Sequence, residues 1–219
     1  MNKIGAALKK YKHAWVLLYV FIYMPWFVYL ERHVTTGYYI IHSSLDDKIP
    51  FVEYFIVPYC LWFIFIVVVV AYFFFTDVPG FYKLTTFLFT GMTIFLLIST
   101  VFPNGLMLRP TTFVRDNVFV DMVKMLYAAD TSTNVFPSIH VFNSIGVCVA
   151  IAHSDKLKEY RGVQIASYCL AGLIILATMF LKQHSVVDVM GAIVMSLIMY
   201  QVVYVTETRK ERRISRQMI

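Results

Sequence analysis

Residues Phe51 to Phe75 read FVEYFIVPYCLWFIFIVVVVAYFFF, a run with one formal charge, at Glu53. About 20 apolar residues in a helix span the hydrocarbon core of a bilayer. A soluble helix shows an apolar stripe on one face, and this run is apolar all round. Five more runs of the same character flank it: Ala14–Leu30, Leu84–Phe102, Ser138–His153, Val163–Leu181 and Ser185–Val205. The chain is therefore expected to be all-α, a polytopic membrane protein with six transmembrane helices in one domain over residues 1–219. Composition agrees, with 59% hydrophobic and only 15% charged residues, where a soluble domain carries about 25% charged. Soluble globular, disordered, collagen-like and disulfide-scaffold classes are excluded on the same grounds.

Local features refine these spans. Pro25 and Pro58 fall inside the first two and predict kinks rather than breaks. Lys9, Lys10 and Lys12 precede the first span as they would a signal peptide, but Tyr29-Leu30-Glu31-Arg32 offers no small-residue cleavage site. The first span is thus read as a retained helix. Asn143 and Ser144 assign the short fourth span to the bundle interior. Cys60, Cys148 and Cys169 lie in apolar runs with no metal or disulfide spacing, and read as packing residues.

Charge sets the orientation. With the N-terminus inside, 13 of the 19 Lys and Arg residues fall on the cytoplasmic side, including Arg209, Lys210, Arg212, Arg213 and Arg216. The positive-inside rule then places both termini in the cytoplasm. The basic tail, residues 206–219, is expected to meet anionic lipid headgroups. It lacks the aromatic interleaving of a nucleic-acid binder, so no nucleic-acid partner is expected. Nothing in the sequence fixes an oligomeric state. His13, His33, His42 and His153, at span ends or in loops, are read as interfacial, and so are Trp15 and Trp26.

The loop between spans three and four, Pro103–Pro137, is long enough to predict a function. Within it Phe119, Met122, Val123 and Leu126 recur at helical spacing. This predicts a surface helix over Asp116–Ala129 capped by Asp116.

Most remaining polar residues collect in three strings: Leu108-Arg109-Pro110, Phe136-Pro137-Ser138-Ile139-His140, and Lys182-Gln183-His184-Ser185-Val186-Val187-Asp188. All three fall at the outer ends of spans. Spans four and six start at that face, and helix N-termini favour anions. Ser138 is a natural N-cap that leaves the amides of Ile139 and His140 available, while Arg109 and Lys182 add positive charge. His184 and Asp188, four apart, share a helix face, so the carboxylate can hold one ring nitrogen protonated and free the other. His140 comes from another helix. Two imidazoles with one carboxylate suggest that one attacks and the other donates a proton.

The three strings, in this order and on this topology, resemble the type 2 phosphatidic acid phosphatase superfamily, whose pattern is Lys-x6-Arg-Pro, Pro-Ser-Gly-His and Ser-Arg-x5-His-x3-Asp. The resemblance covers about residues 84–205 and includes the long outer loop. It implies a helical bundle of that family and a multi-pass protein of the cell membrane with its site on the extracytoplasmic face. It also implies a metal-independent lipid phosphate phosphatase without a cofactor. His184 would attack phosphorus to form a phosphohistidine, Asp188 would orient it, and His140 would protonate the departing alkoxide and later activate water. Arg109, Ser138, Lys182 and the Ile139 amide would hold the phosphate of a membrane lipid. The chain departs from the pattern at Phe102, Ile139, Ala177 and Thr178, where the family has Lys, Gly, Ser and Arg. Lys182, one turn past Thr178, is the expected substitute for the missing Arg, and Arg115 is a second candidate. Such variation is similar to the branch of inositol phosphorylceramide synthases, which transfer a head group instead of hydrolysing. A metal-dependent hydrolase with His140, His184 and Asp188 as ligands, and a non-catalytic lipid-binding or transport protein, are the other readings.

Overall fold

A 3₁₀ stretch, Lys12–Tyr19, runs into helix α1 (Val20–His33) as a single apolar rod. The computed structural model describes residues 9–206, so Lys3 and the basic tail beyond Thr206 lie outside the described residues. The other helices are α2 (Ile56–Thr76), α3 (Val78–Val101), α4 (Val118–Ala129), α5 (Ile139–His153), α6 (Arg161–Phe180) and α7 (Val186–Tyr200). A π-helical turn, Gln201–Val205, extends α7. Two dipeptides, β1 (Tyr39–Ile40) and β2 (Asn104–Gly105), pair in parallel and tie the loop after α1 to the loop after α3.

Five rods are long and apolar enough to cross a membrane: Lys12–His33, Glu53–Thr76, Val78–Val101, Arg161–Phe180 and Val186–Val205. Their outward faces carry bare apolar side chains such as Phe63, Val67 and Val101. No soluble fold leaves this much apolar surface in water, so the protein is an all-α membrane protein. Helix α5 differs. Its 15 residues rise only about 22 Å, short of a core about 30 Å thick. Ten of them are buried, because α5 packs against α2, α3, α6 and α7 at the centre of the bundle. Phe142 of α5 stacks on Phe87 of α3, with ring centroids 4.8 Å apart. A methyl group added at Gly91 would overlap the Phe142 ring, so the close approach of α3 and α5 requires glycine there.

Several boundaries differ from expectation. Helix α3 starts at Val78 rather than Leu84, because Pro79 sits in the first turn, where a missing N–H costs nothing, and Asp77 accepts a hydrogen bond from the Gly80 amide. Pro58 also lies in the first turn of its helix, where no intrahelical bond is lost, so the kink predicted there has no cause. The loop helix begins at Val118, and its cap is Asn117, not Asp116: Asn117 accepts from the amides of Phe119 and Val120. His13 does not face the solvent or lipid. It is buried, and its Nε2 lies 2.9 Å from the Phe74 carbonyl among the rings of Tyr11, Phe74 and Phe81.

Candidate active site

The two imidazoles meet. His140, in the first turn of α5, and His184, just before α7, have ring centroids 5.7 Å apart. His140 is held between Tyr59 and Trp62 of α2, at 4.7 and 4.3 Å. His184 is placed by the end of α6. Lys182 adopts the left-handed region (φ 54°), and the amides of Lys182 and Gln183 close back onto the carbonyls of Met179 and Thr178. This is a Schellman turn built with lysine at the position that favours glycine. It reverses the chain within three residues and turns His184 toward α5.

Asp188 serves two partners. Its Oδ2 accepts from the Ser185 amide at 2.9 Å, closing a capping box, and lies 3.4 Å from His184 Nδ1. That second distance is at the outer limit for a nitrogen–oxygen hydrogen bond, and catalytic hydrogen bonds of this kind shorten when substrate is bound. Asp188 is fully buried and its carbonyl accepts from the Ser138 amide, which fastens the start of α5 to the start of α7. Ser138 caps α5 through Val141, and Ile139 packs with Leu30, Phe95 and Leu96.

The two cations lie elsewhere. Arg109 spans the end of the loop helix, donating to the carbonyls of Asp130 (2.8 Å) and Thr131 (2.7 Å) and to Gln183 Oε1 (2.7 Å), with Tyr127 stacked 4.6 Å away. A cation suits carbonyls at a helix C-terminus. Lys182 donates to the carbonyls of Asp46 (2.8 Å) and Ile49 (2.5 Å). Arg115 pairs with the buried Glu53 at 3.0 Å, which pins the loop helix to the start of α2. The three cations considered for phosphate thus hold loops.

The N-terminus of α7 is also filled. Asp46, only 2% exposed, accepts from Ser185 Oγ (2.6 Å), the Val186 amide (2.8 Å) and the Ser43 amide (2.8 Å). The anion at that helix end is the protein's own carboxylate. Asp46 lies far from α7 in sequence, and nothing in its surroundings, Ser43-Ser44-Leu45-Asp46-Asp47, points to that helix.

A cavity of about 960 Å³ opens beside the histidines, at the large end of ligand sites. It follows α2 from Tyr59 to Phe75, about 24 Å at the helical rise, deeper than one leaflet of a core about 30 Å thick. Its walls are apolar side chains of the first rod, α2 and α3, among them Tyr23, Phe27, Ile66 and Met92. Its polar end holds His140, His184, Gln183, Asn134, Glu31 and Asp130, and no lysine or arginine among the described residues lines it. Burial and the neighbouring Glu31 push the Asp130 carboxyl up to about 6, against the pull of Arg109 and His184. Ile139 lines the cavity, whereas Arg109, Ser138, Lys182 and Asp188 do not. Among the described residues no group of three or more His, Cys, Asp and Glu side chains is spaced to hold a metal ion. Comparison with family models, curated proteins and solved structures finds no match to this chain.

Proposed function

We propose that this chain is a membrane-embedded lipid phosphate phosphatase working without a metal through a phosphohistidine. The observation that carries the reading is the pair His140 and His184, brought from the first turn of α5 and the turn before α7 to 5.7 Å at the polar end of a lipid-sized apolar cavity. One phosphoryl group can touch both rings at that separation. His184, oriented by Asp188, attacks phosphorus, and the bond from phosphorus to the lipid oxygen breaks. His140 gives its proton to the departing alkoxide. It then takes a proton from water, which attacks the phosphohistidine and releases phosphate and free His184. Positioning and charge are most of what phosphoryl transfer needs. On this reading α5 also spans, giving six helices, with both termini in the cytoplasm and the site on the outer leaflet.

One observation favours a second reading, transfer of a phosphorus-containing head group to an alcohol. A dianionic phosphomonoester calls for fixed cations, and Arg109 and Lys182 hold loop carbonyls and, for Arg109, Gln183, without lining the cavity. A phosphodiester carries less charge and needs fewer. Purified protein in detergent, given phosphatidic acid, a polyprenyl phosphate and diacyl phospholipids with and without acceptor alcohols, separates the two by product: free phosphate or a new phosphodiester. Under either reading His184→Ala lowers turnover by several orders of magnitude, and excess chelator leaves the wild-type rate unchanged. A His184→Ala protein as active as wild type refutes both. A rate abolished by chelator supports the metal-hydrolase reading instead.

A further inference from the structure

The polar end of the cavity is rich in hydrogen-bond acceptors. Glu31 and Asp130 both line it. Three amide side chains also line it, each less than one-tenth exposed and each with one buried atom lacking a partner: Asn134 Oδ1, Asn143 Oδ1 and Gln183 Nε2. Two of their orientations are fixed by neighbours. Asn134 Nδ2 donates to Glu31 Oε1 at 2.9 Å, so its free atom is the carbonyl oxygen. Gln183 Oε1 accepts from Arg109, so its free atom is the N–H₂ group. Buried polar atoms in native proteins find partners, and the side chains that carry these line the space a ligand would fill. The Asn134 carbonyl oxygen and two carboxylates call for a ligand that donates hydrogen bonds and carries positive charge. The lone donor, Gln183 Nε2, adjoins His184 in the chain and suits a phosphate oxygen.

We infer that this cavity selects a zwitterionic lipid whose phosphodiester head group ends in a primary ammonium. A bare phosphomonoester would set two negative charges against Glu31 and Asp130 with no lysine or arginine among the described residues in the cavity lining and only Arg109, 3.9 Å from Asp130 Oδ2, paired with them. A neutral hydroxyl head would satisfy the Asn134 amide oxygen but leave Arg109, 3.9 Å from Asp130 Oδ2, to offset that carboxylate. A quaternary ammonium would offset charge but bring no N–H to the Asn134 amide oxygen. The raised Asp130 carboxyl, due after burial to its like-charged neighbour Glu31, is the repulsion an ammonium would relieve. The inference deepens the second reading, head-group transfer, and tells against a phosphomonoester substrate; it rests on the proposed function only in taking this cavity as the lipid site.

The test is equilibrium binding to full-length protein in detergent, using phosphatidylethanolamine, its mono-, di- and trimethylated analogues, phosphatidic acid and diacylglycerol with identical acyl chains. Phosphatidylethanolamine should bind about tenfold tighter than the trimethylated lipid, phosphatidic acid or diacylglycerol, with affinity falling along the methylation series. In Asp130→Asn and in Glu31→Gln the advantage should shrink to about threefold or less, with diacylglycerol binding unchanged. Equal or tighter binding of phosphatidic acid, no fall with methylation, or a full preference in both variants would overturn the inference. The wild-type lipid series needs no variant to fold. A protein that prefers the primary amine but shows no phosphoryl transfer on any lipid upholds the binding inference and defeats the enzymatic one. Turnover dependent on His184 without amine preference does the reverse.

Discussion

Replacing Asp46 by alanine tests whether the candidate site depends on a carboxylate that touches neither histidine. Asp46 is buried and accepts three hydrogen bonds, from Ser185 Oγ, the Val186 amide and the Ser43 amide. A hydrogen bond to a charged group contributes about 1.5–3 kcal/mol, and an anion at a helix N-terminus adds about 0.3–2 kcal/mol. These terms overlap and some donors will recruit water, so the net loss is set at about 3–5 kcal/mol, the usual cost of breaking a buried charged contact. For a chain of 219 residues, about 2–4 °C per kcal/mol gives a fall in Tm of roughly 6–20 °C. Asp46→Asn keeps one acceptor oxygen and should lose about half as much. The assay is thermal unfolding in one fixed detergent, with lipid turnover measured well below both midpoints. Turnover should fall as well, since Ser185 and Val186 begin the helix that holds Asp188 against His184. An Asp46→Ala protein with the wild-type Tm would refute the assignment of that carboxylate as the anchor of α7.

Two further outcomes follow from groups at the same end of the bundle. Arg109→Lys replaces a planar fork by a point charge that cannot reach Asp130, Thr131 and Gln183 together. It should destabilise the protein by about 2–4 kcal/mol and speed proteolysis in the loop from Pro103 to Pro137; an unchanged cleavage rate would show that Arg109 does not hold the loop helix. Asp130 has its carboxyl raised from 3.8 to about 6 by burial and by Glu31. The folded state therefore holds that proton more tightly than the unfolded chain, so this group's contribution to stability is fully present below pH 3.8 and lost as pH rises through about 6. Unfolding midpoints across that window should show this loss in wild type and not in Asp130→Asn, and identical slopes would exclude Asp130 as its source.

Much of the fold was legible in the residues themselves. Five membrane-length rods and the short central helix follow from apolar runs, because a bilayer demands length and apolarity, and both are written locally. The Asn143 and Ser144 pair marked α5 as interior, and ten of its residues are buried. Helical spacing put Asp188 beside His184, and Ser138 was readable as a cap. Local spacing failed where partners are distant in the chain. Spacing marks Arg109 as a phosphate-binding cation, yet it fans over carbonyls some twenty residues on and over Gln183. Lys182 was read as a stand-in for an arginine, yet it occupies a left-handed turn and binds the loop at Asp46 and Ile49. Glu31, Asp46 and Asp130 carried no signal of a site, since an isolated carboxylate near a span end looks like any other.

The sequence alone determined the solvent, the helices and which side chains share a face of one helix, because these depend on neighbours within a turn or two. The tertiary structure alone decided which charges are spent on backbone carbonyls, which carboxylate fills a helix end, and that two imidazoles share one cavity. Those outcomes depend on contacts between residues 21 to 140 positions apart, and no periodicity in a single chain encodes the distance between two helices that meet only when packed.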